Sequence, residues 1–188
     1  ATLEQQLDSD HVDLVDSLID LAGIYQETGR YEEAESLYQR ALEISEQAYG
    51  DDPDNILDSL DGLASFYASL GRYREAEPLY RRALEIAEQL FPDDDIAYSL
   101  NNLAGLYQAM GRYEEAETLY RRSLEFDDTN STIYSLNNLA WLYQTMRRYD
   151  EAEPLYWQAL EILEQELGAE HIDVAYSFHD LAQLYQSA

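Results

Sequence analysis

The 188-residue chain contains no cysteine and no lysine, and it has only eight glycines and four prolines. Without cysteine, disulfides, thiolate metal sites and cysteine nucleophiles are excluded. No apolar segment is long enough to cross a bilayer, and the N-terminal sequence ATLEQQLDSD lacks the basic start and apolar stretch of a signal peptide. We therefore expect a cytoplasmic location.

Positive charge is also scarce. Eleven arginines face 39 acidic residues, which gives a formal net charge of −28. A surface this negative repels nucleic acid and anionic membranes, so we expect neither as a partner. Four explanations fit this charge: solubility, a high-salt cytoplasm, a basic partner or deliberate removal of lysine. The composition does not distinguish between them.

Two segments recur along the chain. SLIDLAGIY at 17–25 returns at 59–67, 99–107, 135–143 and 177–185, and GRYEEAESLYQRALEI at 29–44 recurs between these copies. We therefore predict a single array over residues 1–188. Its full units are expected at about 13–54, 55–94, 95–130 and 131–172, with partial units at 1–12 and 173–188.

Each unit has the pattern of two helices. Apolar residues follow the i, i+3, i+4, i+7 spacing of one helix face in 18–25 and again in 34–42. A glycine stands where the first helix must end in three units, and Arg147 takes that position in the fourth. Because glycine adopts the left-handed conformation at this position easily, Arg147 is expected to cost about 1 kcal/mol there. Residues suited to N-capping are expected to precede the first helices: Asp13, Asn55, Asp95, Ser131 and Asp173.

These repeats resemble the tetratricopeptide repeat. The Leu-Ala-x-x-Tyr, Gly-x-Tyr-x-x-Ala and Tyr-x-x-Ala-Leu series carry the resemblance, and the extended unit is similar to the kinesin light chain variety. The resemblance covers nearly the whole chain. It implies an all-α fold, an alpha-alpha superhelix or solenoid of stacked antiparallel hairpins, and a protein-binding or peptide-binding scaffold.

The resemblance also implies that the first helices line a concave groove. Helical spacing then selects the side chains that point away from each hairpin's own core. The predicted peptide-binding residues are Asp16, Asp20, Asp58, Asp61, Tyr98, Asn101, Asn102, Gln108, Tyr134, Asn137, Asn138, Trp141, Gln144, Tyr176 and His179.

The predicted groove is acidic in its N-terminal half and rich in aromatic and amide side chains in its C-terminal half. Its asparagines either bind a peptide backbone or bond to one another and to neighbouring repeats. Trp141 either anchors a ligand or packs on an adjacent helix. Family members that clamp acidic peptides need basic side chains on this face, and the predicted groove contains neither arginine nor lysine. We therefore expect a basic or neutral extended peptide.

No pattern in the sequence indicates an enzyme, and we expect no catalytic residue, cofactor or metal within this chain. The phosphate-binding glycine loop, the serine nucleophile motif and the HExxH zinc pattern are absent. The acidic segments at 51–55 and 92–95 lack the alternation of a calcium loop. An enzymatic role would require a catalytic domain outside this chain.

A structural, self-assembling module is the alternative function. Residues 2–8 have the pattern of a second helix without its first helix, and residues 174–187 that of a first helix without its second. Joining these ends head-to-tail would continue the array, and we expect at most a weak, concentration-driven association.

Overall fold

The computed structural model describes residues 13–48, 54–90, 94–126 and 129–187. This part of the chain forms two compact units, within residues 1–90 and 91–188. Each unit is built from antiparallel helical hairpins, and no strand occurs among the described residues. The expectation of a single array over the whole chain stays a prediction.

Unit 1 contains two hairpins. The first pairs α1 (Asp13–Glu27) with α2 (Tyr31–Ala48), and the second pairs α3 (Asp54–Ser69) with α4 (Tyr73–Leu90). Both α1 and α2 also pack on α3. Val15, Leu18 and Ile44 form a buried cluster in the first hairpin, and the rings of Tyr38 and Phe66, 5.4 Å apart, join it to the second.

Unit 2 contains two hairpins and one further helix. Helix α5 (Asp94–Ala109) pairs with α6 (Tyr113–Ser123), and α7 (Thr129–Thr145) pairs with α8 (Tyr149–Leu167). Helix α9 (Ile172–Ser187) packs on α8. The odd-numbered helices are called first helices and the even-numbered ones second helices.

Four of the five first helices begin one or two residues before the predicted N-cap, so those N-cap assignments were wrong.

Small residues allow the two helices of each hairpin to approach closely. Fully buried alanines at equivalent repeat positions include Ala22, Ala64, Ala104 and Ala140 on the first helices, and Ala34, Ala76, Ala116 and Ala152 on the second. The equivalent Ala182 on α9 is exposed, because no described helix packs over that side.

The hairpin turns share one backbone conformation. Gly29, Gly71 and Gly111 have φ between 71° and 76°, and Arg147 has φ 58°. The amide of Arg30 donates to the carbonyl of Tyr25 at 2.8 Å, and that of Arg148 donates to Tyr143 at the same distance. The prediction that Arg147 adopts the left-handed conformation is therefore confirmed.

Candidate functional site

The first helices, which would line the predicted groove, contain no arginine, and the chain has no lysine. All eleven arginines lie in the turns or on the second helices. Helix α7 carries no carboxylate, arginine or histidine, whereas α1 and α3 carry several carboxylates. The face formed by the first helices therefore differs in chemistry from one unit to the other.

Several arginines are held in a network that links successive repeats. In unit 1, Glu35 of the first hairpin accepts hydrogen bonds from Tyr67 at 3.0 Å and from Arg72 at 2.8 and 3.1 Å, both in the second hairpin. The guanidinium of Arg72 also lies over the Tyr67 ring, 4.3 Å from its centre. The hydrogen bond from Arg72 lowers the pKa of Glu35, so the carboxyl group stays ionised.

The same network recurs in unit 2. Glu117 accepts hydrogen bonds from Tyr143 at 2.8 Å and from Arg148 at 2.6 Å. Burial raises the pKa of Glu117, but bonds from Arg148, Tyr143 and Arg121 outweigh it, and the net shift is downward. Tyr185 of α9 donates to Glu153 at 2.5 Å, so the glutamate–tyrosine pair occurs there too.

Sequence reasoning did not find this network, although its signal is present. The second glutamate of each EAE segment, the tyrosine that ends each SLxxLAxLY segment and the turn arginine recur in every complete unit. Their recurrence could have indicated a contact between repeats. The network ties the turn arginines Arg72 and Arg148 to second-helix glutamates of the preceding hairpin.

The predicted groove residues of unit 1 are mostly exposed. Asp16, Asp20 and Asp58 lie on the surface of α1 and α3. Asp61 is buried, so the expectation that it is exposed was wrong. Gly62 beside it explains the close packing, because a Cβ there would lie 3.2 Å from the Tyr38 ring.

The aromatic residues predicted for the groove of unit 2 are exposed. Tyr98, Tyr134 and Tyr176 occupy the same position in three successive first helices, and each is more than half exposed. Trp141 is 56% exposed, so more than half of its surface is open to solvent. His179 is also exposed, and its Nε2 lies 2.7 Å from the amide nitrogen of Gln183.

Two of the predicted amide residues are structural. Asn101 is buried and donates to the Ser135 hydroxyl at 2.8 Å, and Gln108 is buried and accepts from Tyr120 at 3.2 Å. The expectation that they are exposed was wrong, because the next first helix and the hairpin's own second helix cover them. Gln144 accepts in the same way from Tyr156, but it is only partly buried. Asn102, Asn137 and Asn138 are also partly buried.

A cavity of about 440 Å³ lies within unit 2, between α7, the C-terminal part of α8 and α9. Three predicted groove residues line it, namely Tyr134, Asn137 and Tyr176. The other lining residues are Thr129, Ile133, Leu163, Glu166, Leu167, Asp173, Ser177 and Asp180. Its volume lies in the roughly 300–1,000 Å³ range of small-ligand sites.

The described residues contain no group of three or more acidic or histidine side chains suited to holding a metal ion. The acidic segments at 51–55 and 92–95 fall partly outside the described residues. None of the described helices is both long and apolar enough to cross a membrane.

The tetratricopeptide repeat family profile matches overlapping stretches of the chain, at residues 2–47, 13–89, 55–129, 95–165 and 131–188. The chain belongs to the tetratricopeptide repeat family. The all-α hairpin architecture of the described residues agrees with this assignment. Tetratricopeptide repeat domains are typically protein-interaction scaffolds, and a scaffold of this kind is what the fold provides.

Solved tetratricopeptide repeat structures are similar to this chain. BtubC (BKLC) from P. vanneervenii is 28% identical, with a TM-score of 0.80 over 94% of this chain and 73% of that one. A kinesin light chain-like protein of nearly identical TPR-like repeats from Podosopora anserina is 27% identical, with a TM-score of 0.76 over 94% and 88% of the two chains. The predicted solenoid fold class and the resemblance to kinesin light chain repeats are confirmed. No curated protein sequence matches the chain significantly.

Proposed function

We propose that this tetratricopeptide repeat chain is a non-catalytic scaffold that binds an extended basic or neutral peptide on its first helices. One observation carries the proposal, namely that none of the described first helices contains an arginine or a lysine. An acidic peptide would meet carboxylates without a counter-charge, whereas a basic peptide would meet complementary charge. Nucleic acid is disfavoured for the same reason.

The two units would contribute different contacts. In unit 1 the exposed carboxylates of Asp16, Asp20 and Asp58 suit lysine or arginine side chains. In unit 2 the exposed rings of Tyr134 and Trp141 suit an apolar or aromatic side chain, since exposed aromatic residues with polar neighbours are frequent binding anchors. Half-buried amides such as Asn138 can bond to a peptide backbone.

A peptide array tests the proposal. Immobilised peptides of graded net charge are probed with the full chain at two salt concentrations. We expect basic and neutral sequences to bind best and added salt to weaken the basic ones, because part of the attraction is between exposed charges. If acidic sequences bind best, the proposal is wrong.

The two tryptophans provide a matched pair of variants. Trp141 lies on a first helix and is 56% exposed, and Trp157 lies on a second helix and is 46% exposed. We expect Trp141→Ala to weaken binding of a selected peptide by about tenfold, or roughly 1.4 kcal/mol. Trp157→Ala should leave the affinity unchanged. Equal losses in both variants would show that the peptide is not held on the first helices.

The carboxylates allow a second matched pair. Replacing Asp16 and Asp20 with asparagine should slow association of a basic peptide and reduce its salt dependence. Replacing Glu32 and Glu85 with glutamine removes the same charge from the second helices. That control should change association much less. We also propose a cytoplasmic location for this scaffold.

Weak self-association is a second candidate function. Trp157 and Phe178 are each nearly half exposed and line a recess on α8 and α9. A second copy of the chain would cover these apolar side chains; the predicted complementary segment, residues 2–8, lies outside the described residues. Light scattering over a concentration range tests this, and Phe178→Glu should reduce any increase in mass. A mass that stays monomeric at millimolar concentration contradicts it.

A further inference from the structure

The cavity between α7 and α9 arises from a change in how successive first helices are joined. Within unit 2, Asn101 of α5 bonds to Ser135 of α7, and Ser135 also receives a hydrogen bond from Ser123 at 2.7 Å. In unit 1, Ser59 likewise lies 2.6 Å from Ser45. These serines fill the space between one repeat and the next with polar contacts.

The junction between α7 and α9 lacks this arrangement. Leu163 occupies the position in the repeat that Ser45 holds in α2, so no serine hydroxyl faces Ser177 from there. The Ser177 hydroxyl bonds instead to the carbonyl of Asp173 at 3.2 Å. Asn137 holds the position of Asn101, but its Oδ1 is buried and has no hydrogen-bond partner. The cavity opens where the asparagine–serine bond is missing.

We propose, on the basis of the peptide-binding function above, that this cavity is a pocket for the guanidinium group of an arginine side chain in the bound peptide. A buried acceptor without a donor is unfavourable, because it has lost water without gaining a bond. Because Oδ1 has almost no solvent-accessible surface, a rotation of the Asn137 side chain toward the cavity would let an arginine side chain donate to it. No arginine or lysine of this chain lines the cavity.

The carboxylates of the cavity favour a cation. Asp180 is partly buried within it, and Glu166 and Asp173 are exposed at its edge. Burial raises the pKa of Asp180, and the charge of His179 lowers it by a smaller amount. Because a carboxylate withdrawn from water needs a compensating charge, a bound cation would stabilise its ionised form.

The shape and the aromatic residues favour guanidinium over ammonium. Tyr134 and Tyr176 line the cavity along with the apolar side chains of Ile133, Leu163 and Leu167. A guanidinium stacks on aromatic rings, donates in several directions from one plane and is more weakly hydrated than an ammonium group. Its aliphatic stem would cover the apolar residues.

Nuclear magnetic resonance titration of the full chain tests the pocket. The probes are acetyl-Gly-Arg-Gly-amide, its lysine counterpart and its citrulline counterpart, which keeps the shape of arginine without the charge. We expect the arginine probe to shift the amide signals of cavity residues on α7 and α9, and to bind about tenfold more tightly than the citrulline probe. Equal binding of the two, or shifts located elsewhere, would overturn the inference.

Two matched variants sharpen the test. Asp180→Asn should weaken the arginine probe by about tenfold, whereas Asp150→Asn removes the same charge from an exposed position at the start of α8, outside the cavity, and should change nothing. Tyr134→Ala, at an exposed position that does not support the core, should weaken the arginine probe more than the lysine probe. An unchanged affinity in both Asp180→Asn and Tyr134→Ala would overturn the pocket.

The outcome is separable from that of the proposed function. If the array selects basic peptides but their affinity does not depend on Asp180, the peptide scaffold stands and the pocket is wrong. If the array selects no peptide, the peptide scaffold is wrong, and the titration with the arginine probe still decides whether the cavity binds guanidinium.

Discussion

Units 1 and 2 share a framework and differ on the surface of their first helices. The glutamate networks match residue for residue, since Glu35, Tyr67 and Arg72 in unit 1 correspond to Glu117, Tyr143 and Arg148 in unit 2. At the same repeat position, however, unit 1 presents Asp16 and Asp58, whereas unit 2 presents tyrosines such as Tyr134. Positions that hold hairpins together are thus constant between the units, and positions that face outward set the chemistry of binding.

The largest expected effect tests whether the framework is the same in both units. Leu60 and Leu136 occupy equivalent positions and are fully buried. Leu60→Ala and Leu136→Ala should each destabilise the protein by about 2–5 kcal/mol, because both lose buried apolar contacts and leave a cavity. Urea unfolding followed by circular dichroism measures this. Leu21→Ala, at a partly exposed position, should reduce the free energy of unfolding much less. If the losses at Leu60 and Leu136 differ markedly, the two units do not share the same framework.

The glutamate networks come next in magnitude. The side chain of Glu117 is 18% exposed and that of Glu35 is 27% exposed. Glu117→Gln should cost about 1.5–3 kcal/mol, because it weakens hydrogen bonds to a charged group from several donors. Glu35→Gln should cost about 1 kcal/mol, because its ion pair is more solvated. The control is Glu85→Gln at an exposed site. Its free energy of unfolding should lie within about 0.5 kcal/mol of the parent value.

Acidification should reduce the stability that these networks contribute. The folded-state pKa values of Glu35 and Glu117 lie below their usual value. Their contribution is therefore present above the unfolded pKa of about 4.3 and is lost as the pH falls through the folded pKa. The difference in unfolding free energy between the parent and Glu117→Gln should shrink below about pH 4.3. A difference that grows on acidification would contradict the assigned shift.

A smaller effect is expected at the fourth turn. Arg147 has φ 58°, so Arg147→Gly should stabilise the protein by up to about 1 kcal/mol. Gly111→Ala is the reverse change at the equivalent turn, and should cost about 1 kcal/mol through backbone strain alone, since a Cβ there meets no atom within 4 Å. Thermal melts of both variants check this. Two changes of the same sign would contradict the argument.

The smallest effect concerns the charge that both units share. With a formal net charge of −28, self-repulsion destabilises the folded chain, and salt screens it. The melting temperature should rise by a few degrees as sodium chloride is added, which corresponds to about 1 kcal/mol for a chain of this size. A flat or falling series would show that screening of the arginine–glutamate pairs outweighs the relief of repulsion.

Most of the fold could be predicted because it depends on short-range patterns. Helical spacing identified the hairpins, and the position of Arg147 in the repeat predicted its backbone conformation. Helix starts were misplaced by one or two residues, as at Ile172, because capping residues and first-turn residues have overlapping preferences.

The site was only partly predictable, because spacing gives the direction of a side chain but not the distance to the next repeat. Asn101 and Asn137 share one repeat position, yet one bonds to a neighbouring serine and the other borders a cavity. That cavity is also lined by Leu163, which lies on another helix. To predict this difference, each first-helix residue would have to be paired with its neighbours in the adjacent repeats.

The Glu–Tyr–Arg network has a consequence for how such chains change in length. Within each unit, one repeat offers a carboxylate and the next supplies a hydroxyl and a guanidinium, as Glu35 with Arg72 and Glu117 with Arg148 illustrate. Duplication or loss of one whole repeat within such a unit leaves these carboxylates matched with donors. Loss of part of a repeat leaves a glutamate or an arginine without its partner. The network therefore favours insertions and deletions in steps of one repeat, and makes the repeat the unit of recombination.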